Sequence, residues 1–322
     1  MKILVVGAGV IGTIYGWAIA ESGHDVTHVV RPGRRASLAN GIEIDMFDKR
    51  PGHKKRNVFR YGIRTTENLG SESYDLVIVP VHHYELIDVL GQFAPMCNKD
   101  AGFLLLTQNW QGTAEIDKIL PQHRYLFGDA KAGGTFGDGG GKLIATIKTI
   151  DIGQVEGRHD DCLQKALDLF NSASLEPRLQ ENILHYLWVQ YAVAGGLWPV
   201  IVRAGSMSAA LRDKANGELG LKAARECLRV VERRGVDLKK YPETQWYFKD
   251  SYFFKQLGII SMKYMFSHDE YQKRCTAHSL SNPRETRTFY FDLLTTGKEL
   301  GVPMPVMESF GPDIERFGSD PS

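Results

Sequence analysis

Cysteine is scarce in this 322-residue chain: Cys97, Cys162, Cys227 and Cys275 lie far apart and form no Cys-x-x-Cys pair. A structural zinc site or a redox dithiol therefore has nothing to build on, and reduced thiols in a cytoplasmic protein are the expectation. Charge of one sign is also missing. Lys and Arg number 39 against 38 Asp and Glu, so the electrostatic footprint that nucleic-acid binding requires is absent. The short basic run at residues 53–56 reads as a solvated loop. Nor is there a long unbroken apolar run. The most apolar stretch, residues 184–202, is interrupted by His185, Gln190 and Pro199, whereas a membrane span needs about 20 predominantly apolar residues. A buried helix, and no membrane partner, is the reading. The first residues lack the basic flank, apolar core and small-residue cleavage site of a signal peptide and read as a strand.

What is present is an ordinary globular composition, 43% hydrophobic and 24% charged, in a chain long enough for two domains. Lys2–Val6 is a short β-branched apolar run. It leads at once into Gly7-Ala8-Gly9-Val10-Ile11-Gly12 and then into apolar residues at helical spacing. This G-x-G-x-x-G sits between a strand and a helix, and a second strand candidate follows at residues 25–30. Gly7 permits a tight turn, Gly9 lets backbone approach a pyrophosphate, and Gly12 lets helix pack on strand. The helix N-terminus offers amide donors to the anion. Dinucleotide binding by residues 7–12 follows. At the end of the second strand, where an NAD enzyme places a carboxylate for the ribose 2′-hydroxyl, this chain has Arg31. A guanidinium suits a 2′-phosphate, which favours NADP. Arg34 and Arg35 read equally well as a solvated helix start.

Further strands are expected at residues 74–80, 102–107, 124–128 and 142–150, with helical patterns at 83–92 and 112–120 between them. The glycine-rich stretch 133–141 reads as a loop or hairpin. After Gly157 the periodicity is helical, with long candidates at 179–203, 207–234, 243–266 and 284–300. The expected architecture is an N-terminal Rossmann domain with a doubly wound parallel sheet, residues 1–176, followed by an all-α domain, residues 177–322. Ligands of such sheets bind beyond the carboxyl ends of the strands, which directs attention to His82, His83 and Asn109.

The glycine turn at residue 7, Arg31, the run Thr107-Gln108-Asn109 and a helical second half ending Leu300-Gly301-Val302-Pro303 together resemble the ketopantoate reductase family over nearly the whole chain. The resemblance implies that the glycine turn and Arg31 hold NADPH, that Asn109 sits near the nicotinamide, and that a small 2-oxo acid is reduced by hydride. It also implies a lysine on the first helix of the second domain as proton donor. Here that position is Gln190, the family's two asparagines on the same helix face are Ala194 and Trp198, and the family lysine after Pro80-Val81 is His82. No lysine occurs between Lys165 and Lys214, so no shift of register restores one. A neutral amide donates a hydrogen bond but is no general acid. The family glutamate that contacts the substrate hydroxyl corresponds to Glu285, and His82 and Tyr186 are alternative donors, with Lys131 placed last. The expectation is an NADPH-dependent reductase of a small-molecule carbonyl. The alternative is an NADP(H)-binding relative that serves another substrate or a sensing role. Pairing into a homodimer is left open.

Overall fold

The structure is a computed structural model that describes residues 1–53, 55–70, 72–249, 260, 264, 268–276, 280 and 282–318. The chain divides into two compact units, Met1–Leu184 with Arg274–Ala277, and His185–Lys273 with His278–Ser322.

The first unit is built in chain order from β1 (Lys2–Val6), α1 (Val10–Glu21), β2 (Asp25–Val29), α2 (Arg34–Leu38), β3 (Ile42–Asp48), β4 (Lys55–Tyr61) and β5 (Thr65–Thr66). There follow β6 (Leu76–Val79), α3 (Leu86–Phe93), β7 (Gly102–Leu106), α4 (Ala114–Asp117), β8 (Tyr125–Phe136), β9 (Lys142–Gly153), α5 (Asp161–Ser172) and β10 (Arg178–Leu179). The strands form one ten-stranded sheet in the order β4-β3-β9-β8-β7-β6-β1-β2-β5, with β10 on β9. Its centre is the expected parallel Rossmann arrangement, β2-β1-β6-β7-β8. Ile3, Leu4 and Val5 of β1 are fully buried, as a strand covered on both faces requires.

The sheet is mixed rather than wholly parallel, because β8 turns back antiparallel into β9 and the β3–β4 hairpin adds to the far side of β9. The glycine-rich stretch is accordingly half strand. A Cβ on Gly134 would lie 2.3 Å from the Ile144 carbonyl oxygen, so glycine here permits a close strand approach, and only residues 137–141 make the turn. The division between units falls after Leu184 rather than after residue 176. Arg178 and Leu179 pair with Asp151 and Ile152 and so belong to the sheet.

In the second unit the described residues are mainly helical. α6 (Ile183–Ala204), α7 (Met207–Arg212) and α8 (Lys214–Arg233) are followed by a helix at Glu270–Thr276, which from Arg274 onward is assigned to the first unit, and by helices at Pro283–Glu299, Pro305–Glu308 and Gly311–Arg316. The expected helix over residues 207–234 is broken at Asp213, whose extended backbone lets its carboxylate accept from the Ala215 amide at 2.9 Å and cap α8. The candidate at 243–266 begins as a 3-10 segment, Pro242–Phe248, and most of the remainder lies outside the described residues. α6 packs through Gly195 and Gly196, where added Cβ atoms would stand 2.3 Å from Leu293 and 2.5 Å from the Ala224 backbone. Among the described residues no helix is long and apolar enough to cross a membrane.

Candidate active site

Gly7 has a φ of +88°, a backbone conformation that favours glycine. Its amide donates to the Val29 carbonyl at 2.8 Å, and its carbonyl accepts from His28 Nδ1 at 2.9 Å. The turn is thereby fixed from both sides by β2. His28 is a residue that sequence reading passes over. With its Nδ1 proton committed to Gly7, Nε2 accepts from the Tyr61 hydroxyl at 3.2 Å, and burial lowers its pKa to about 4, leaving a neutral imidazole. Gly16 makes room for the ring: a Cβ there would lie 2.5 Å from His28 Nε2. The only sequence signal was a histidine among the valines of the strand.

α1 starts at Val10 with Gly9 as its N-cap, no side-chain cap and no acidic residue in the first turn. Open space lies where Cβ atoms on Gly7 and Gly9 would project. By contrast Gly12 is tight, with Pro80 and Val5 at 3.1 and 3.2 Å from an added Cβ. Uncapped amides beside an open backbone are what a pyrophosphate needs, so Gly7, Ala8, Gly9, Val10, Ile11 and Gly12 fit a dinucleotide. Arg31 follows β2 with its side chain 93% exposed and 4.0 Å from Glu85. Beside it, Glu67 accepts from the Gly33 and Arg35 amides at 2.9 and 3.3 Å. That carboxylate is committed to the start of α2, while Arg31, Arg34 and Arg35 keep their guanidinium groups at the surface.

His82 follows β6 in extended conformation and stacks on Tyr84, ring centroids 5.2 Å apart. At the end of β7, Asn109 donates to the Gly112 carbonyl at 2.7 Å and accepts from the Gly112 amide at 3.1 Å. Its amide closes its own turn, and Trp110, only 2% exposed, anchors it. Three buried polar atoms, Thr13 Oγ1, Thr107 Oγ1 and Gln108 Oε1, have no hydrogen-bond partner among the described residues. Such groups are costly unless a ligand or solvent satisfies them, and Thr107 and Gln108 stand just past the carboxyl end of β7.

In the second unit, Gln190 is half-buried on α6, and Ala194 and Trp198 share its face at one-turn intervals. Trp198 meets Phe289 edge-on at 4.6 Å. Tyr186 is buried, consistent with packing. Glu285 lies in the first turn of the helix Pro283–Glu299, its amide capped by Asn282 Oδ1 at 3.2 Å. A further group emerges here that sequence did not single out. The Tyr191 hydroxyl donates to Asp292 Oδ2 at 2.7 Å, and burial, reinforced by the charges of Asp292 and Glu285, pushes that phenol far above its ordinary range. Arg234 stacks 3.7 Å over the Trp188 ring, its pKa lowered by burial to about 10, which leaves it charged near neutrality.

Residues 3–157 match the family model described as ketopantoate reductase PanE/ApbA. A 2-dehydropantoate 2-reductase of Pyrococcus abyssi is 25% identical over 245 residues, covering 75% of this chain and 77% of that one. One of Streptococcus pyogenes is 23% identical over 263 residues, covering 76% and 78%. Among solved structures, 2-dehydropantoate 2-reductase from Geobacter metallireducens superposes with a TM-score of 0.76 at 16% identity, covering 98% of this chain and 99% of that one. D-mandelate dehydrogenase with NADH and anilino(oxo)acetate also gives 0.76, at 15% identity, covering 98% and 97%. The two solved structures share this fold, and the glycine turn and uncapped helix lie inside the stretch that matches the ketopantoate reductase family model.

Proposed function

We propose that the protein is an NADPH-dependent oxidoreductase that reduces a small 2-oxo acid or related carbonyl to the hydroxy acid. The observation that carries this reading is the open, uncapped glycine turn with Arg31, and no carboxylate, directly after β2. Residues 7–12 would hold the pyrophosphate and Arg31 the 2′-phosphate, with Asn109 shaping the loop at the nicotinamide end. The bound dihydronicotinamide supplies the hydride. A carbonyl that accepts hydride develops negative charge on oxygen, and the protein must meet that charge with donors and deliver a proton. The resemblance assigns Gln190 and His82 to positions where the family carries lysines, and Glu285 to that of the glutamate for the substrate hydroxyl. Of these, Gln190 offers a neutral N–H to the carbonyl oxygen.

The face Gln190, Ala194 and Trp198 is less polar than the lysine and two asparagines of the family pattern. That favours a more apolar 2-oxo acid than ketopantoate, and an aryl member of the class belongs in any substrate panel. The same face motivates a second reading, a family member that binds NADP(H) tightly and responds to it without turnover. Fluorescence titration with NADPH and NADH, followed by addition of ketopantoate, an aliphatic 2-oxo acid and phenylglyoxylate, separates the two. Selective NADPH binding with oxidation by one of the acids is the expected result. Binding with no oxidation by any of them would favour the sensor.

A further inference from the structure

The resemblance implies a proton-donating lysine on the first helix of the second domain, and this chain has no lysine between Lys165 and Lys214. The first unit does hold a lysine at the carboxyl end of β7. β7 and β8 run parallel with Leu106 opposite Gly128, so β8 continues beyond β7, and Asp129 and Lys131 lie just past its end. Gln108 ties the two strands together by donating from Nε2 to Asp129 Oδ1 at 2.9 Å. Lys131 Nζ pairs with Asp129 Oδ2 and lies 3.5 Å from Asp151 Oδ2. Asp151, fully buried, also pairs with Arg178 and accepts from Gln180 Nε2 at 2.7 Å.

The backbone at Lys131 is held as firmly as its side chain. Its amide donates to the Tyr15 hydroxyl at 3.1 Å, and that hydroxyl donates to the Thr149 carbonyl at 2.8 Å. The register of β8 on β9 slips between Lys131 and Ala132, an irregularity of the kind that re-aims a side chain beside an active site. The side chain retains 22% exposure. Thr107 Oγ1 and Gln108 Oε1, both buried and without a hydrogen-bond partner among the described residues, are on the adjoining strand end. A structural ion pair alone leaves those two atoms unexplained, whereas a carbonyl substrate beside a nicotinamide brings groups for them to bond.

We propose that Lys131 is the proton donor of the reduction, oriented by Asp129 and Asp151, so that the acid lost from the helical unit is supplied by the Rossmann unit. The inference rests on the reading of the chain as a carbonyl reductase. In the step, the carbonyl carbon gains hydride, the π electrons of the C–O bond pass to oxygen, and that oxygen takes a proton from Lys131 Nζ. The products are the hydroxy acid, the oxidised nicotinamide and a neutral amine, which regains its proton from water at the exposed side of the chain.

The test exploits the fact that arginine keeps the ion pairs but does not give up its proton. For Lys131→Arg, Kd for NADPH, and Kd of the NADPH complex for the non-reducible analogue oxamate, should stay within about threefold of wild type. kcat should fall by about 10²–10⁴-fold, with loss of the corresponding limb of the pH–rate profile. If binding shows that Lys131→Arg does not fold, Lys131→Ala with added ethylamine decides: restoration of turnover in proportion to the protonated ethylammonium is expected, and no restoration overturns the proposal. Lys131→Arg with wild-type kcat also overturns it, making Lys131 a structural ion-pair residue. A wild-type protein that oxidises NADPH with no 2-oxo acid removes the reductase reading itself and the proposal with it.

Discussion

The imidazole of His28 stands between the Gly7 carbonyl and the Tyr61 hydroxyl, and acceptance at Nε2 from Tyr61 uses its neutral form. Burial holds its pKa at about 4, against 6.5 for an unburied imidazole. Below pH 6.5 the unfolded chain takes up a proton that the folded chain refuses. Stability attributable to this group is therefore complete above pH 6.5 and is lost as pH falls toward 4, at about 1.4 kcal/mol per pH unit. Urea midpoints at pH 7 and pH 5 check this: wild type should lose about 2 kcal/mol more than His28→Gln over that interval. The same variant should weaken NADPH binding, because it releases one of the two restraints on Gly7. Arg31 is the complementary case, an exposed side chain whose ion-pair contact is with Glu85 at 4.0 Å. Arg31→Ala should raise Kd for NADPH by about 10–100-fold and leave Kd for NADH nearly unchanged. Equal losses for both cofactors would remove the assignment of Arg31 to the 2′-phosphate.

Among the elements, α6 depends on small residues at a crossing. The nearest neighbours of a Cβ at Gly196 are backbone atoms of Ala224 and Ala223, which cannot rotate away as a side chain end can. Gly196→Ala should destabilise the fold by about 1–3 kcal/mol despite the higher helix propensity of alanine, measured as a lowered urea midpoint with unchanged slope. Sequence periodicity identified α6 and read none of this, since a glycine pair looks the same whether it faces solvent or another helix. The β1–turn–α1 unit was legible because its determinants are local: a β-branched strand, glycines at turn positions and helical spacing within about 20 residues. The β3–β4 hairpin went unread because Ile42–Asp48 and Lys55–Tyr61 join the sheet through β9, some hundred residues on in sequence. Asp213 was readable in principle as an N-cap. The apolar pattern on either side of it hid the break between α7 and α8.

Across the whole molecule the candidate residues fall into two sets. Residues 7–12, Arg31, His82, Asn109 and Lys131 belong to the first unit, and Gln190 and Glu285 to the second. The cofactor set was visible in the sequence because it is a contiguous motif plus strand-end positions. The catalytic set was less so, because Lys131 acquires meaning only from its partners: Asp129 two residues away, Asp151 on β9 and Gln108 just past β7 are brought together by sheet pairing. This partition makes the two sets separable by measurement. If cofactor binding is a property of the first unit alone, Gln190→Ala and Glu285→Ala should leave Kd for NADPH within about twofold of wild type. Their cost should appear in KM for the 2-oxo acid or in kcat, since a group that meets only the substrate alters those terms. Hydrogen exchange gives an independent reading: NADPH should protect amides at residues 7–13 and 107–112, where the glycine turn and the β7 end would be covered. Loss of NADPH affinity in Gln190→Ala with the fold intact would instead mean that the helical unit takes part in holding the cofactor, and the division of labour between the two units would have to be redrawn.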